Sequence, residues 1–277
     1  MASVMQSTLL ARLMNGERIA EAVAVVAAHP DDETVGIGSR MRLFDAPTLI
    51  HATDGAPLDM VRARHLGFES AKAYSSARYS ELAQALDILN VQPATRICLG
   101  YSDGELAYHL VELTKRLQPL LEMVSGVFTH AFEGGHPDHD ACAFAVQCAV
   151  QRLLGVGRAA PARFEFTGYH SVAQKFHVGA FWPEQQYPAV TVQLSRDEVT
   201  RKGEALRAFE TQAWIAQIFN YEHESYRPAP TYDFLRPTPP REWLYDANKS
   251  WKLKSEDWMT CSALALRDLD ITLDPKD

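Results

Sequence analysis

Ala28-His29-Pro30-Asp31-Asp32-Glu33 sets one imidazole and three carboxylates directly after an unbroken run of small or β-branched apolar residues, V-A-V-V-A-A at 23–28. No other stretch packs so many metal or proton ligands against so apolar a run. The run predicts a parallel strand buried on both faces. Pro30 suits the first turn of a helix, where its missing N–H is no loss, and Asp31, Asp32 and Glu33 would then be favoured by the positive end of the helix dipole. His29 and Asp32 are three apart and can face the same way. One imidazole and one carboxylate are half of a catalytic zinc site, which takes three protein ligands and keeps one position open. Asp31 points elsewhere and is free to serve as general base toward a metal-bound water. Standing alone, acidic residues after a strand serve equally well as helix caps.

A second cluster weakens the capping explanation. Residues 133–140 read E-G-G-H-P-D-H-D, again after an apolar strand and at the start of a helix. His136 and His139 lie three apart across Pro137. A lone histidine is better read as a satisfied core residue; two strand-end clusters with the same H-P-D order are not. Together they offer His29, Asp32 and one of His136 or His139 as a His₂Asp set, leaving Asp31 and the other histidine for chemistry.

The elements that must position these residues alternate. Strands are expected at 48–53 (ending in Asp54-Gly55), 95–100 (ending before Asp103-Gly104) and 126–132. Helices are expected over 34–44, about 59–89, 105–123 with Pro119 as a kink or early stop, and 140–154. Gly36 and Gly38 invite a dinucleotide-loop reading, but Met41 stands where the third glycine would be, and the reading is rejected. Crossovers of this length give parallel pairing: an α/β, open, mostly parallel, doubly wound sheet with helices on both faces. In such sheets ligands sit beyond the carboxyl ends of the strands, where His29, Asp54, Asp103 and the segment after Phe132 all fall. Further on, 164–169 and 189–194 read as strands, and 195–213 as a helix with Ser195 as cap and Glu198 as its capping-box partner. Residues 228–240 contain five prolines and cannot be regular; the aromatics around them (Tyr226, Tyr232, Phe234, Trp243, Tyr245) suit packing under a long loop better than a substrate groove. The expected division is a Rossmann-like core at 1–215 and an irregular extension at 216–277 packed on it.

Composition excludes several classes. With 27 Lys plus Arg against 35 Asp plus Glu the formal charge is −8, against a nucleic-acid binder. No apolar run approaches the ~20 residues of a membrane span. Residues 1–20 read as a short amphipathic helix broken near Gly16, without the order of a signal peptide. Cys98, Cys142, Cys148 and Cys261 form no CxxC pair and read as reduced residues of a cytoplasmic protein. A homo-oligomer is compatible with this composition. No G-x-S-x-G elbow is present. His51 and His130 read as core histidines inside strands, His65, His109, His177 and His223 as surface or loop residues. Tyr169-His170 ends a strand within reach of the pocket.

The motifs resemble those of the PIG-L/LmbE-like zinc-dependent N-deacetylases, which act on N-acetylglucosamine-type sugars. A-H-P-D-D-E at 28–33 and G-G-H-P-D-H-D at 134–140 carry the resemblance. Thr53-Asp54-Gly55, Arg78-x-x-Glu81-Leu82, Leu99-Gly100-x-x-Asp103-Gly104 and Lys202-x-x-Ala205-Leu206 with Gln212 extend it over roughly 22–213. It implies that His29, Asp32 and His139 hold zinc, with ferrous iron the alternative ion. It gives Asp31 the role of general base and His136 that of a cation beside the substrate carbonyl. Arg78 and Asp103 would touch the sugar, and Asp138 would orient a histidine from behind. Some relatives carry a catalytic tyrosine two residues before the second motif; here that position is Gly134. Zinc would lower the pKa of its bound water to ~7 and polarise the amide carbonyl. The implied substrate is a small amino-sugar conjugate. Specificity is expected in 55–78, 171–187 and 221–247. A non-catalytic binding relative needs neither Asp31 nor His136, and a phosphoesterase would need two ions.

Overall fold

The structure, a computed structural model, describes residues 2–173, 175–182, 187–219, 222–236, 242–247 and 251–272. The chain opens with α1 (Ala2–Met14) and then alternates: β1 (Val23–Ala27), α2 (Asp32–Met41), β2 (Thr48–Pro57), α3 (Val61–His65), α4 (Ala71–Leu89), β3 (Thr95–Asp103), a 3₁₀ turn at Leu106–His109, α5 (Leu110–Leu121), β4 (Gly126–His130), α6 (Pro137–Gly155) and β5 (Ala162–Phe166). There follow β6 (Tyr169–Val172), β7 (Lys175–Val178), β8 (Val190–Gln193), α7 (Arg196–Arg207), α8 (Ile215–Ile218), β9 (His223–Pro228), α9 (Leu244–Ala247) and α10 (Ser255–Asp268).

Among the described residues the main sheet has seven strands in the order β3-β2-β1-β4-β5-β9-β8. The first five are parallel, and β9 and β8 close the far edge antiparallel. The chain runs outward from β1 through β2 to β3, then returns to β4 on the other side of β1. That reversal opens a crevice at the carboxyl ends of β1 and β4. The two H-P-D motifs follow these two strands.

β1 shows why the sheet is buried on both sides. Its residues alternate between two cores: Ala24 and Val26 face a cluster with Leu113, Phe144 and Trp258, while Val23 and Val25 face one with Leu9, Ile37 and Leu86. α5, α6 and α10 thus cover one face, and α1, α2 and α4 the other. Gly36 permits the closest approach on the second face. A Cβ there would lie 2.1 Å from the Phe166 ring of β5, so the glycine rejected as a phosphate-loop residue is a packing residue. Gly36→Ala is expected to cost about 1–3 kcal/mol through overpacking, read as a lowered midpoint in chemical denaturation.

Several boundaries differ from expectation. α2 starts at Asp32, leaving Pro30 and Asp31 ahead of the helix. The expected helix over 59–89 is two helices, broken where Gly67 takes φ +87°. Pro119 lies inside α5 without ending it; so near the C-terminus, its missing N–H removes a single bond. β4 stops at His130, and α6 begins at Pro137 rather than at residue 140. Ser195 and Glu198 do form the capping box of α7. The break at 215 cuts across the fold, because β9 lies beyond it yet sits in the sheet between β5 and β8. Tyr232, Phe234, Trp243 and Tyr245 are buried beside Phe132 and Trp258, which is packing under a loop; residues 237–240 of the proline-rich stretch lie outside the described residues. No described helix is long and apolar enough to cross a membrane.

Candidate metal centre

The two strand–helix junctions meet on the carboxylate of Asp32. His29 Nδ1 lies 3.1 Å from Asp32 Oδ2, and His139 Nε2 3.1 Å from Asp32 Oδ1. His29, His136 and His139 also form a group whose ligand atoms all lie within 4.8 Å of one another. Local geometry explains the first junction: Asp32 Oδ2 accepts the backbone N–H of His29 at 2.8 Å, which turns the carboxylate back over the imidazole. At the second, His136 is the N-cap of α6 and Pro137 its first residue, so His139 rises from the first turn toward β1.

Behind this pair stands Asp138. It is fully buried, accepts backbone N–H groups from Gly104 (2.7 Å) and Leu106 (3.0 Å), and lies 3.1 Å from His29 Nε2. The second motif therefore orients the imidazole of the first. Asp103 Oδ1 approaches the same Nε2 at 3.1 Å.

Asp31 precedes α2 at φ 158°, ψ −28°, a pairing L residues adopt only when surroundings enforce it. The Asp31 N–H is held by Glu33 Oε2 at 3.1 Å and His29 O at 3.0 Å, and its side chain by Arg78. Arg78 Nη2 donates to Asp31 Oδ2 at 2.6 Å and to Pro30 O at 3.2 Å, while Nη1 donates to Gly55 O at 2.9 Å. Gly55 takes φ +71°, and a Cβ there would stand 2.9 Å from the guanidinium, which explains the Asp54-Gly55 ending of β2. Arg78 is 2% exposed. Nη1 and Nη2 are engaged on Asp31, Pro30 and Gly55 while the buried Nε has no hydrogen-bond partner among the described residues; this placement suits holding the carboxylate rather than the sugar contact expected of it. Arg78→Met is expected to lower kcat about 10²-fold through misplacement of Asp31, with metal content unchanged by elemental analysis.

Charge in the cluster is unbalanced. Burial pushes the Asp31 carboxyl up to about 8, against the pull of Arg78. Burial also opposes ionisation of Asp32 and Asp103. His139, His130 and His29 nevertheless hold Asp32 well below the usual carboxylate range, and His29 does the same for Asp103. His29 is carried well above the ordinary imidazole range by Asp103 and Asp32, despite burial. Burial pushes His136 and His139 down to about 4, His29 adding to this at His136 and His130 at His139. A neutral His136 departs from the imidazolium expected. Its Nδ1 accepts the Asp138 N–H at 3.1 Å, so its proton sits on Nε2, which faces Asp103 Oδ1 at 3.9 Å.

Two residues of the site, His130 and Trp251, escaped the sequence reading, and Tyr169 lies beside the same cluster. His130 closes β4 instead of lying within it; its Nε2 accepts the Ala28 N–H at 3.0 Å and its ring stacks on His139 at 3.9 Å. The signal lay in its place near a strand's carboxyl end. Tyr169 packs its ring 5.3 Å from that of His139, and Trp251 sets its indole edge-on to His136 at 4.9 Å. Trp251 follows no motif. His51 is a buried core histidine as expected, its Nε2 2.9 Å from Glu33 and its Nδ1 without a hydrogen-bond partner among the described residues.

A mostly parallel sheet thus gathers two H-P-D junctions onto one His/Asp cluster. Residues 24–150 match the family model described as PIG-L, GlcNAc-PI de-N-acetylase. The chain is 24% identical over 278 residues to a 1D-myo-inositol 2-acetamido-2-deoxy-alpha-D-glucopyranoside deacetylase of Corynebacterium jeikeium (strain K411), covering 76% of this chain and 84% of that protein. In fold it resembles the N,N'-diacetylchitobiose deacetylase from Pyrococcus horikoshii (TM-score 0.55, 19% identity, 84% of this chain and 96% of that one). It also resembles a deacetylase of teicoplanin biosynthesis solved with teicoplanin (TM-score 0.56, 15% identity, 75% and 97%).

Proposed function

We propose that this protein hydrolyses the N-acyl amide, in the first place N-acetyl, of a small amino-sugar conjugate. The observation that carries the reading is the Asp32 carboxylate shared between His29 and His139, with Asp31 held beside it on buried Arg78. The donor set suits a divalent ion: two imidazoles and a carboxylate are a common catalytic zinc combination. The excess of carboxylates (Asp31, Asp32, Asp103, Asp138) over cations in a buried site asks for positive charge. His29, Asp32 and His139 would hold the ion, zinc or alternatively ferrous iron. When bound, such an ion supplies an acidified water and a Lewis acid for the amide carbonyl.

The chain's own groups do the rest. Asp31 takes a proton from the attacking water and returns it to the leaving amine; a carboxyl pushed toward neutrality is matched to both transfers at physiological pH. His136 donates its Nε2 proton as a hydrogen bond to the developing oxyanion, acting as a neutral donor. Asp138 fixes the ring of His29. Asp103, part-exposed at the rim, is placed to meet a sugar hydroxyl.

The test is metal analysis of the purified protein with a screen of N-acyl amino sugars read by free-amine release. One ion per chain and amine release from an N-acetylglucosaminide are expected. Two ions per chain with phosphate release from sugar phosphates would replace the amidase by a phosphoesterase. A loaded protein inert on both panels would leave a binding relative.

A further inference from the structure

A cavity of about 420 Å³ lies away from the metal cluster, over the β8–β9 edge of the sheet. We propose that it binds a neutral sugar ring. This goes beyond the deacetylase reading and does not depend on it.

Strand alternation builds the floor. β9 turns Glu224 toward Lys202 on α7, and His223, Ser225 and Arg227 line the cavity on the opposite face. Thr191 of β8 pairs in register with Ser225, and their hydroxyls meet at 2.9 Å. Phe181 and Trp182 supply aromatic walls. The volume falls in the range of small-molecule sites, where apolar walls and a few fixed polar groups set the ligand.

Electrostatics decides the class of ligand. Arg227 would suit an anion if its charge were free, but Nε donates to Glu165 at 2.7 Å and Nη2 lies 3.5 Å from Glu133. Nη1 donates to Trp182 O at 3.1 Å, and the guanidinium stands 4.3 Å from the Phe181 ring centroid. Two carboxylates already offset the one cation. What remains is hydroxyl and imidazole groups, each able to donate and accept, beside flat aromatic faces. That combination matches a ring carrying hydroxyls on its edge and C–H groups on its face.

The cavity also shares a carboxylate with the metal centre's second loop. Glu133 accepts the Trp182 N–H at 2.7 Å and begins the E-G-G-H segment that leads to His136. A ring seated there would lie against the wall that carries the catalytic loop.

The experiment is calorimetric titration of the metal-loaded full chain with methyl glucoside and methyl galactoside, which contain no amide. Saturable binding of at least one is expected, weakened ten-fold or more in Ser225→Phe and unchanged within two-fold in His29→Ala. Thr191→Trp fills the same space from an exposed edge position, so a folding failure of Ser225→Phe leaves the test intact; it too should weaken binding ten-fold. Absence of saturable binding by the wild-type chain overturns the proposal. So does binding that survives both filling substitutions, or that disappears in His29→Ala, which would put the ring at the metal centre. Neither result would bear on amide hydrolysis, which is read separately by amine release.

Discussion

Asp31→Ala is expected to keep its metal and lose turnover by about 10²–10⁴-fold, the range a positioned general acid–base supplies, or about 3–5 kcal/mol of barrier. The separation of the two effects is geometric. Asp31 lies 2.6 Å from Arg78, while the contacts joining His29, Asp32 and His139 involve none of its atoms. Asp31→Asn sharpens the test, since an amide oxygen can still accept from Arg78 while the group can no longer take a proton. Both variants should show kcat reduced with KM little changed, and wild-type metal stoichiometry by elemental analysis. Normal hydrolysis by Asp31→Ala would remove Asp31 from the mechanism. Loss of metal in Asp31→Asn would make it part of the ligand set.

The second large effect is expected at His139. His139→Ala deletes one of the three proposed ligands and the contact on Asp32 Oδ1, so the ion should be lost and amine release should fall to background. The readout need not be catalytic. A ligand that binds only the folded chain stabilises it by about 2.7 kcal/mol at a hundredfold excess over its dissociation constant. Added zinc should therefore raise the melting temperature of the chelator-stripped wild-type chain and not that of His139→Ala. Asp138→Asn provides the gradation. It touches His29 from behind at 3.1 Å, and substitutions at such positions cost about 10–100-fold in metal affinity. Its response to zinc should be shifted to higher concentration rather than abolished. A melting shift of wild-type size in His139→Ala would place the ion elsewhere in the cluster, with His29, Asp103 and Asp138 as the grouping that does not need His139.

The resemblance to a deacetylase family was legible because both halves of the site are local. Each is a strand end, a proline and two or three ligands within eight residues, and such spacing survives without knowledge of the fold. The sheet was legible for the same reason: apolar runs such as V-A-V-V-A-A and their spacing dictate parallel strands with crossovers. Gly55 could be placed at a turn, though not as the seat of Arg78.

What the tertiary structure alone decided are contacts between residues far apart in the chain. Arg78 reaches Asp31 across 47 positions, and nothing in either local pattern distinguishes a sugar contact from a support for the base. The resemblance implied a cation at His136; burial, a property of the packed site, pushes its pKa down instead. Trp251 and Tyr245 come from beyond the matched family segment. Yet Trp251 packs on His136, Tyr245 donates to Asp140 at 3.1 Å, and the neighbouring Leu244 N–H binds Gly134 O at 2.8 Å. Local sequence fixes which side chains a turn presents and in what order. Charge state, support and walls depend on which distant segments fold against that turn, and β9, the sixth strand of the sheet but last in the chain, shows how late in the sequence those segments can lie.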